Sequence, residues 1–117
     1  MKVPGPDHPI TITPFAGRVR VIAQGNVIAD TSHALSLAEA DYPVALYVPR
    51  GDTHMAALTP SSHHTSCPYK GEASYFDIGE AKNAVWSYEA PYPAVAAIAG
   101  HLAFYPDKVK IERLPPG

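Results

Sequence analysis

The residues best suited to chemistry lie in and just before one short stretch, Thr65–Gly71, which holds the only cysteine of the chain. Lys70 follows Cys67 by three positions, and His63 and His64 precede it. A thiolate is the nucleophilic form of cysteine, a nearby ammonium group favours that form, and a histidine within reach supplies a base. Cys67, with His64 as its base, is therefore a candidate nucleophile or redox thiol. The competing interpretation, that Cys67 is a small buried hydrophobe and Lys70 a solvated turn residue, is the commoner case.

A second group of candidates combines Lys70 with four aromatic residues, Tyr47, Tyr75, Trp86 and Tyr88. Aromatic walls with a few polar groups are typical of small-molecule sites, and Lys70 supplies a positive charge for an anionic or nucleotide-like ligand. The alternative is that these aromatic side chains form the core and its rim, with their polar ends at the surface. The two interpretations are nearly equal in weight.

Metal chemistry has little support in the sequence. Structural zinc needs four ligands, usually grouped in Cys-x-x-Cys pairs, and one cysteine cannot supply them. The adjacent His63 and His64 fall in a polar segment, where histidines are usually solvated. We therefore predict no metal site and no cofactor.

Composition limits the class of protein and its partners. The chain has 117 residues, 46% of them hydrophobic and 17% charged, which is typical of a soluble globular domain. A net charge of −2 gives no electrostatic reason to expect nucleic acid or an acidic membrane as a partner. One cysteine gives no support for an oxidising compartment, and no apolar run approaches the roughly 18 residues of a membrane span. We expect a cytoplasmic location.

The pattern of the chain favours short strands, because 13 prolines and 7 tyrosines suit turns and strands better than long helices. Alternating or continuous apolar residues predict strands at 10–13, 18–23, 27–30, 44–48, 73–78, 85–89, 101–105 and 109–113, the last two forming a hairpin. Residues 34–37 fit a strand or a helical turn. Short helical turns are predicted within 53–58 and from Pro93 toward Gly100, and residues 59–66 are predicted to be a polar loop.

These elements predict an all-β protein with a small β-barrel or sandwich-like architecture and one or two short helical turns. We expect a single domain over residues 1–117. Within it, residues 1–9 form an extended arm, residues 10–114 the core and residues 115–117 a tail.

The motifs resemble those of the domain of unknown function 427 family. The similarity rests on the Cys-Pro-Tyr-Lys-Gly run at residues 67–71, Ala73–Tyr75, the Trp-Ser-Tyr-Glu-Ala-Pro run at residues 86–91 and Gly100-His101. The resemblance implies a small, tent-like all-β domain and no defined activity, so it assigns no catalytic residue. The family also carries a nucleotidyltransferase-like label, but the sequence has no Gly-Ser followed by paired aspartates and no glycine-rich phosphate loop.

Three functional hypotheses follow. The first is a small-molecule-binding module with a pocket near Lys70 and the Tyr and Trp cluster. The second is an enzyme that uses Cys67 as a nucleophile or redox thiol. The third is a protein-interaction domain that contacts a partner or a second copy of itself. The sequence leaves open the ligand, the oligomeric state and the choice between enzyme and binding protein.

Overall fold

The computed structural model describes residues 1–116, which form ten strands and three short 3₁₀ helices. The strands are β1 (Ile10–Pro14), β2 (Arg18–Ala23), β3 (Asn26–Thr31), β4 (Leu35–Glu39), β5 (Ala45–Tyr47), β6 (Thr59–Cys67), β7 (Gly71–Ile78), β8 (Ala81–Ser87), β9 (Ala103–Phe104) and β10 (Lys110–Leu114). The 3₁₀ helices are Arg50–Asp52, Met55–Ala57 and Pro93–Ile98. The predicted all-β class is confirmed, the predicted helical turns at 53–58 and 93–100 are present, and the ambiguous segment at 34–37 lies mostly in strand β4.

The strands pair into three antiparallel sheets, in the orders β1-β4-β5, β10-β2-β3 and β6-β7-β8-β9. These pairings, over residues 1–116, leave three open sheets and do not close a single barrel. None of the helices in this part of the chain has the length and apolar character needed to cross a membrane.

Two hydrophobic clusters form the core, and the hairpin of β7 and β8 contributes to both. Neighbouring residues of a strand point to opposite faces, so Phe76 and Val85 join the first cluster, together with Val19 and Val21 of β2. Tyr75 joins the second cluster, with Trp86 packed against it. Tyr75 and Phe76, adjacent in β7, therefore belong to different clusters.

Strand β5 divides its side chains between the clusters in the same way. Leu46 belongs to the first cluster and Tyr47 to the second, and both are buried. The predicted strand at 44–48 is shorter in the structure, because Val44 lies outside it and is 50% exposed. Burial on both faces explains why this segment reads as a continuous apolar run.

The prediction of a polar loop at residues 59–66 is wrong. These residues form most of β6, a nine-residue edge strand paired with β7. Most of its side chains are exposed, so the segment has no hydrophobic alternation to reveal it. Backbone hydrogen bonding to a neighbour, which does not depend on the polar side chains, makes it a strand.

The prediction of a terminal hairpin between residues 101–105 and 109–113 is also wrong. Strand β9 pairs with β8, and β10 pairs with β2 at the other end of the chain. The apolar pattern located both segments, and Val109 is buried. The choice of partner depends on long-range packing, which a local pattern does not encode.

The predicted arm at residues 1–9 is not extended throughout. Gly5 and His8 form a turn closed by two backbone hydrogen bonds of 3.3 and 2.9 Å. The Lys2 amide donates to the Pro68 carbonyl at 2.7 Å, so the segment lies against the chain near residue 68. In the predicted tail, Pro115 and Pro116 have no regular secondary structure, and Gly117 lies outside the described residues.

Gly17 fixes the approach of β10 to the start of β2. Its φ of +143° is unfavourable for residues with a side chain, and a Cβ there would lie 2.3 Å from the Leu114 carbonyl oxygen. We expect Gly17→Ala to lower the free energy of unfolding by about 1–3 kcal/mol, measured by chemical denaturation. Gly51→Ala is the control, because no atom lies within 4 Å of the added methyl. Equal effects of the two substitutions would contradict this account.

Candidate functional site

A tight hairpin between β6 and β7 positions Lys70. Cys67 pairs with Gly71 across the ladder, which leaves residues 68–70 as the loop. Gly71 has a φ of +111°, a conformation that favours glycine. The Tyr92 amide donates to the Lys70 carbonyl at 3.0 Å and holds the end of the loop. The run Cys-Pro-Tyr-Lys-Gly is thus a turn that directs Lys70 inward.

Lys70 is buried, 8% exposed, and its ammonium group donates a hydrogen bond to Oε1 of Glu39. The other carboxylate oxygen of Glu39 lies 2.8 Å from Nε2 of His8. Burial by itself raises the pKa of Glu39, but the hydrogen bonds and charges of Lys70 and His8 outweigh it, so the pKa lies below its usual value. Glu39 is therefore a carboxylate at neutral pH, and it compensates the charge of Lys70.

His8 connects this ion pair to the N-terminal segment. Its ring stacks on Tyr69, with ring centroids 3.9 Å apart and an interplanar angle of 4°. Tyr69 belongs to the loop that carries Lys70, so the same histidine contacts both the carboxylate and the lysine loop. Residues 2–8 are thereby part of the support for the site.

A cavity of about 420 Å³ opens beside Lys70, where strands of all three sheets meet. Its walls are mainly aromatic and aliphatic, and the charged residues on them are Glu39, Lys70 and Arg113. The uncharged lining residues are Leu37, Tyr42, Pro43, Val44, Ala45, Leu46, Tyr47, Tyr75, Trp86, Tyr88, Phe104, Tyr105, Pro106 and Ile111.

All five residues predicted as ligand-binding line this cavity: Lys70, Tyr47, Tyr75, Trp86 and Tyr88. The indole N–H of Trp86 donates to the Tyr47 hydroxyl at 3.1 Å, and the two rings meet edge to face. The Tyr75 hydroxyl lies 2.9 Å from that of Thr65 on β6. These bonds fix the orientation of three of the aromatic walls.

The phenols of Tyr47, Tyr88 and Tyr105 stay protonated at neutral pH. Burial raises the pKa of Tyr47 and of Tyr88 far above the usual range, and burial together with a hydrogen bond to Tyr75 raises the pKa of Tyr105 to about 12. The Lys70 ammonium lies 5.9 Å from the centre of the Tyr88 ring, whose phenol keeps its proton. Tyr88 can therefore donate a hydrogen bond to a molecule in the cavity.

Neither catalytic candidate lines the cavity. Cys67 is partly buried at the end of β6 and packs against the second hydrophobic cluster, but it is not among the lining residues. His64 is exposed on β6, with Nδ1 3.8 Å from a carboxylate oxygen of Glu72. Within the described part of the chain, no three His, Cys, Asp or Glu side chains come together as a metal-binding group.

Sequence reasoning missed Glu39, His8, Arg113 and Tyr105. A signal for Glu39 was present, because Leu35, Leu37 and Glu39 occupy alternate positions of β4 and so share one face. A strand assigned to residues 34–37 and continued to residue 39 would have placed the Glu39 carboxylate on an apolar face. No comparable signal marks His8, which reaches the site only through the folding of the N-terminal turn.

The site and fold define an all-β protein with an aromatic cavity and an internal Lys–Glu pair. A family model described as Domain of unknown function (DUF427) matches residues 11–114. The chain belongs to this family. No curated protein matches the sequence.

Replacing Lys70 with methionine should leave Glu39 buried with His8 as its remaining partner. We expect the free energy of unfolding to fall by about 3 kcal/mol, because removing one member of a buried ion pair leaves the other charge buried without its partner. The double variant Lys70→Met/Glu39→Leu should recover most of this loss. Denaturant titration of the three proteins checks both statements, and a double variant less stable than Lys70→Met would refute them.

The lowered pKa of Glu39 has a consequence for acid stability. The unfolded chain binds the proton more tightly than the folded one, so Glu39 stabilises the fold above the ordinary carboxyl pKa of 4.5, and this contribution is lost as pH falls through the folded-state value. We expect the stability difference between wild type and Glu39→Gln to be largest near pH 7 and to shrink below pH ~4.5. A difference that is constant from pH 7 to pH 3 would contradict the role of the charge.

Proposed function

We propose that this protein is a small-molecule-binding module and that the aromatic cavity beside Lys70 is its binding site. The observation that carries the proposal is the grouping of Tyr47, Tyr75, Trp86 and Tyr88 around a single opening of about 420 Å³. Ligand sites are concave and largely apolar, with a few polar groups that orient the ligand, and volumes of roughly 300–1,000 Å³ are usual. This cavity falls in the smaller part of that range.

The walls suit a planar ring compound. Burial of a ring against aromatic and aliphatic side chains provides the main driving force, and offset or edge-to-face aromatic contacts add to it. Phe104 and Leu37 complete the apolar surface. A compound with one ring or two fused rings fits within this cavity.

Polar recognition is proposed to come from Tyr88 and Lys70. An ammonium group has three N–H donors, and one of those on Lys70 is used by Glu39. The others, with the Tyr88 hydroxyl, can donate to carbonyl, ring-nitrogen or oxyanion acceptors of a ligand. Anionic and nucleotide-like compounds belong to this class, but Lys70 contributes donors more than net charge, since Glu39 neutralises it.

The fixed orientation of the cavity walls supports a ligand-binding site over a purely structural aromatic core. Trp86 is held by Tyr47, and Tyr75 by Thr65, so these walls need little reordering when a ligand enters. Avoiding that ordering cost raises affinity for a given contact area. Cys67 takes no part in the proposal, and Cys67→Ser is expected to bind ligands as the wild type does.

Filling the cavity tests the proposal. Ala45 lines the cavity, and Ala38 on the neighbouring strand is exposed and does not line it. Trp86 is the only tryptophan, so its indole N–H gives one signal in a ¹⁵N-correlated NMR spectrum and reports from the wall itself. We expect aromatic fragments to shift this signal in the wild type and in Ala38→Phe, with binding at least tenfold weaker in Ala45→Phe.

The backbone NMR spectrum verifies that both variants are folded. Equal binding by Ala45→Phe and Ala38→Phe would place the fragments outside the cavity and refute the proposal. Failure of every fragment to move the Trp86 signal would refute it as well.

A further inference from the structure

The charges on the cavity wall are unequally compensated. Lys70 is paired with Glu39, which makes the inner end of the cavity electrically neutral. Arg113 on β10 also lines the cavity, is exposed, and makes no salt bridge or hydrogen bond to another side chain within residues 1–116. One cation at the cavity is therefore uncompensated.

Arg113 differs in this respect from the other arginines. Arg18 donates to Asp30 at 2.6 Å, and Arg50 donates to Glu89 at 2.7 and 2.8 Å. Arg20 lies within 3.7 Å of carboxylate oxygens of Asp30 and Glu112. Carboxylates on the protein surface thus compensate three of the four guanidinium groups, and the exception is the one on the cavity wall.

The position of Arg113 is set by the alternation of β10. Ile111 and Arg113 are two residues apart and both line the cavity, whereas Lys110 and Glu112 lie on the opposite face of the strand. Pairing of β10 with β2 fixes this register. The guanidinium is exposed while Ile111 is half-buried, so the charge belongs to the rim and the apolar surface to the interior.

We infer that the ligand is an amphipathic aromatic monoanion, whose ring system enters the apolar cavity and whose carboxylate or similar oxyanion is bound by Arg113 at the rim. This inference rests on the proposed function and specifies its ligand class. The planar guanidinium matches a carboxylate with two parallel N–H donors. With Lys70 neutralised, a polyanion would bring charges that the cavity does not compensate, and a cation would face Arg113 directly.

The test compares two probes of one shape, 2-naphthoate and its neutral amide, 2-naphthamide. Both present the same fused rings, so their affinities differ mainly through the charge. We expect the wild type to bind 2-naphthoate about fivefold more tightly than the amide, as suits an ion pair at a solvated rim. This preference should decrease with added salt, whereas amide binding should change little.

Two variants locate the charge. Arg113→Gln should bind both probes equally, at the wild-type affinity for the amide. Lys110→Gln removes the same charge from the opposite face of the same strand and should retain the preference. The Trp86 indole signal provides the readout for all titrations.

The outcomes separate this inference from the proposed function. Equal binding of the two probes by the wild type, or loss of the preference in Lys110→Gln to the same extent as in Arg113→Gln, overturns the monoanion assignment and leaves cavity binding intact. Failure of both probes to bind overturns the two together. A preference that disappears only in Arg113→Gln supports the inference.

Discussion

The ion pair between Lys70 and Glu39 is the interaction on which the candidate site depends. It joins the β6–β7 hairpin of one sheet to β4 of another, across 31 positions of sequence, and forms one wall of the cavity. Two charges at this depth incur a desolvation cost that only close geometry and further hydrogen bonds offset. The bond from His8 to Glu39 is one such bond, which explains why an N-terminal segment folds back onto the lysine loop.

The cavity follows from the arrangement of the sheets. Strands β7 and β8 place one face against the cluster of Val19, Phe76 and Val85 and the other toward the aromatic cluster. Strands of all three sheets contribute lining residues where they meet, and the large aromatic side chains there surround an opening instead of closing it. The hydrogen bond between Trp86 and Tyr47 keeps that opening in shape. The packing that stabilises the fold and the walls of the cavity thus draw on the same residues.

Much of the fold was accessible to sequence reasoning, for a specific reason. Alternation at Val19 and Val21, and the change of face between Tyr75 and Phe76, identify strands and the direction of their side chains because both depend only on local backbone geometry. The edge strand β6 escaped prediction because its polar side chains carry no pattern. The partners of β9 and β10 escaped because pairing is chosen by contacts distant in sequence.

For the site, the sequence alone determined the chemical groups: a lysine in a Pro- and Gly-shaped turn, four aromatic residues and a lone cysteine. The tertiary structure decided which of them belong together. It placed Lys70 with the aromatic residues and left Cys67 outside the cavity. It also placed Glu39 beside Lys70, whose charge it neutralises. Arg113 at the rim of the cavity has no carboxylate partner among residues 1–116. Residue types fix what each group can do, but charge compensation depends on distances between strands far apart in the chain, and only folding sets those distances.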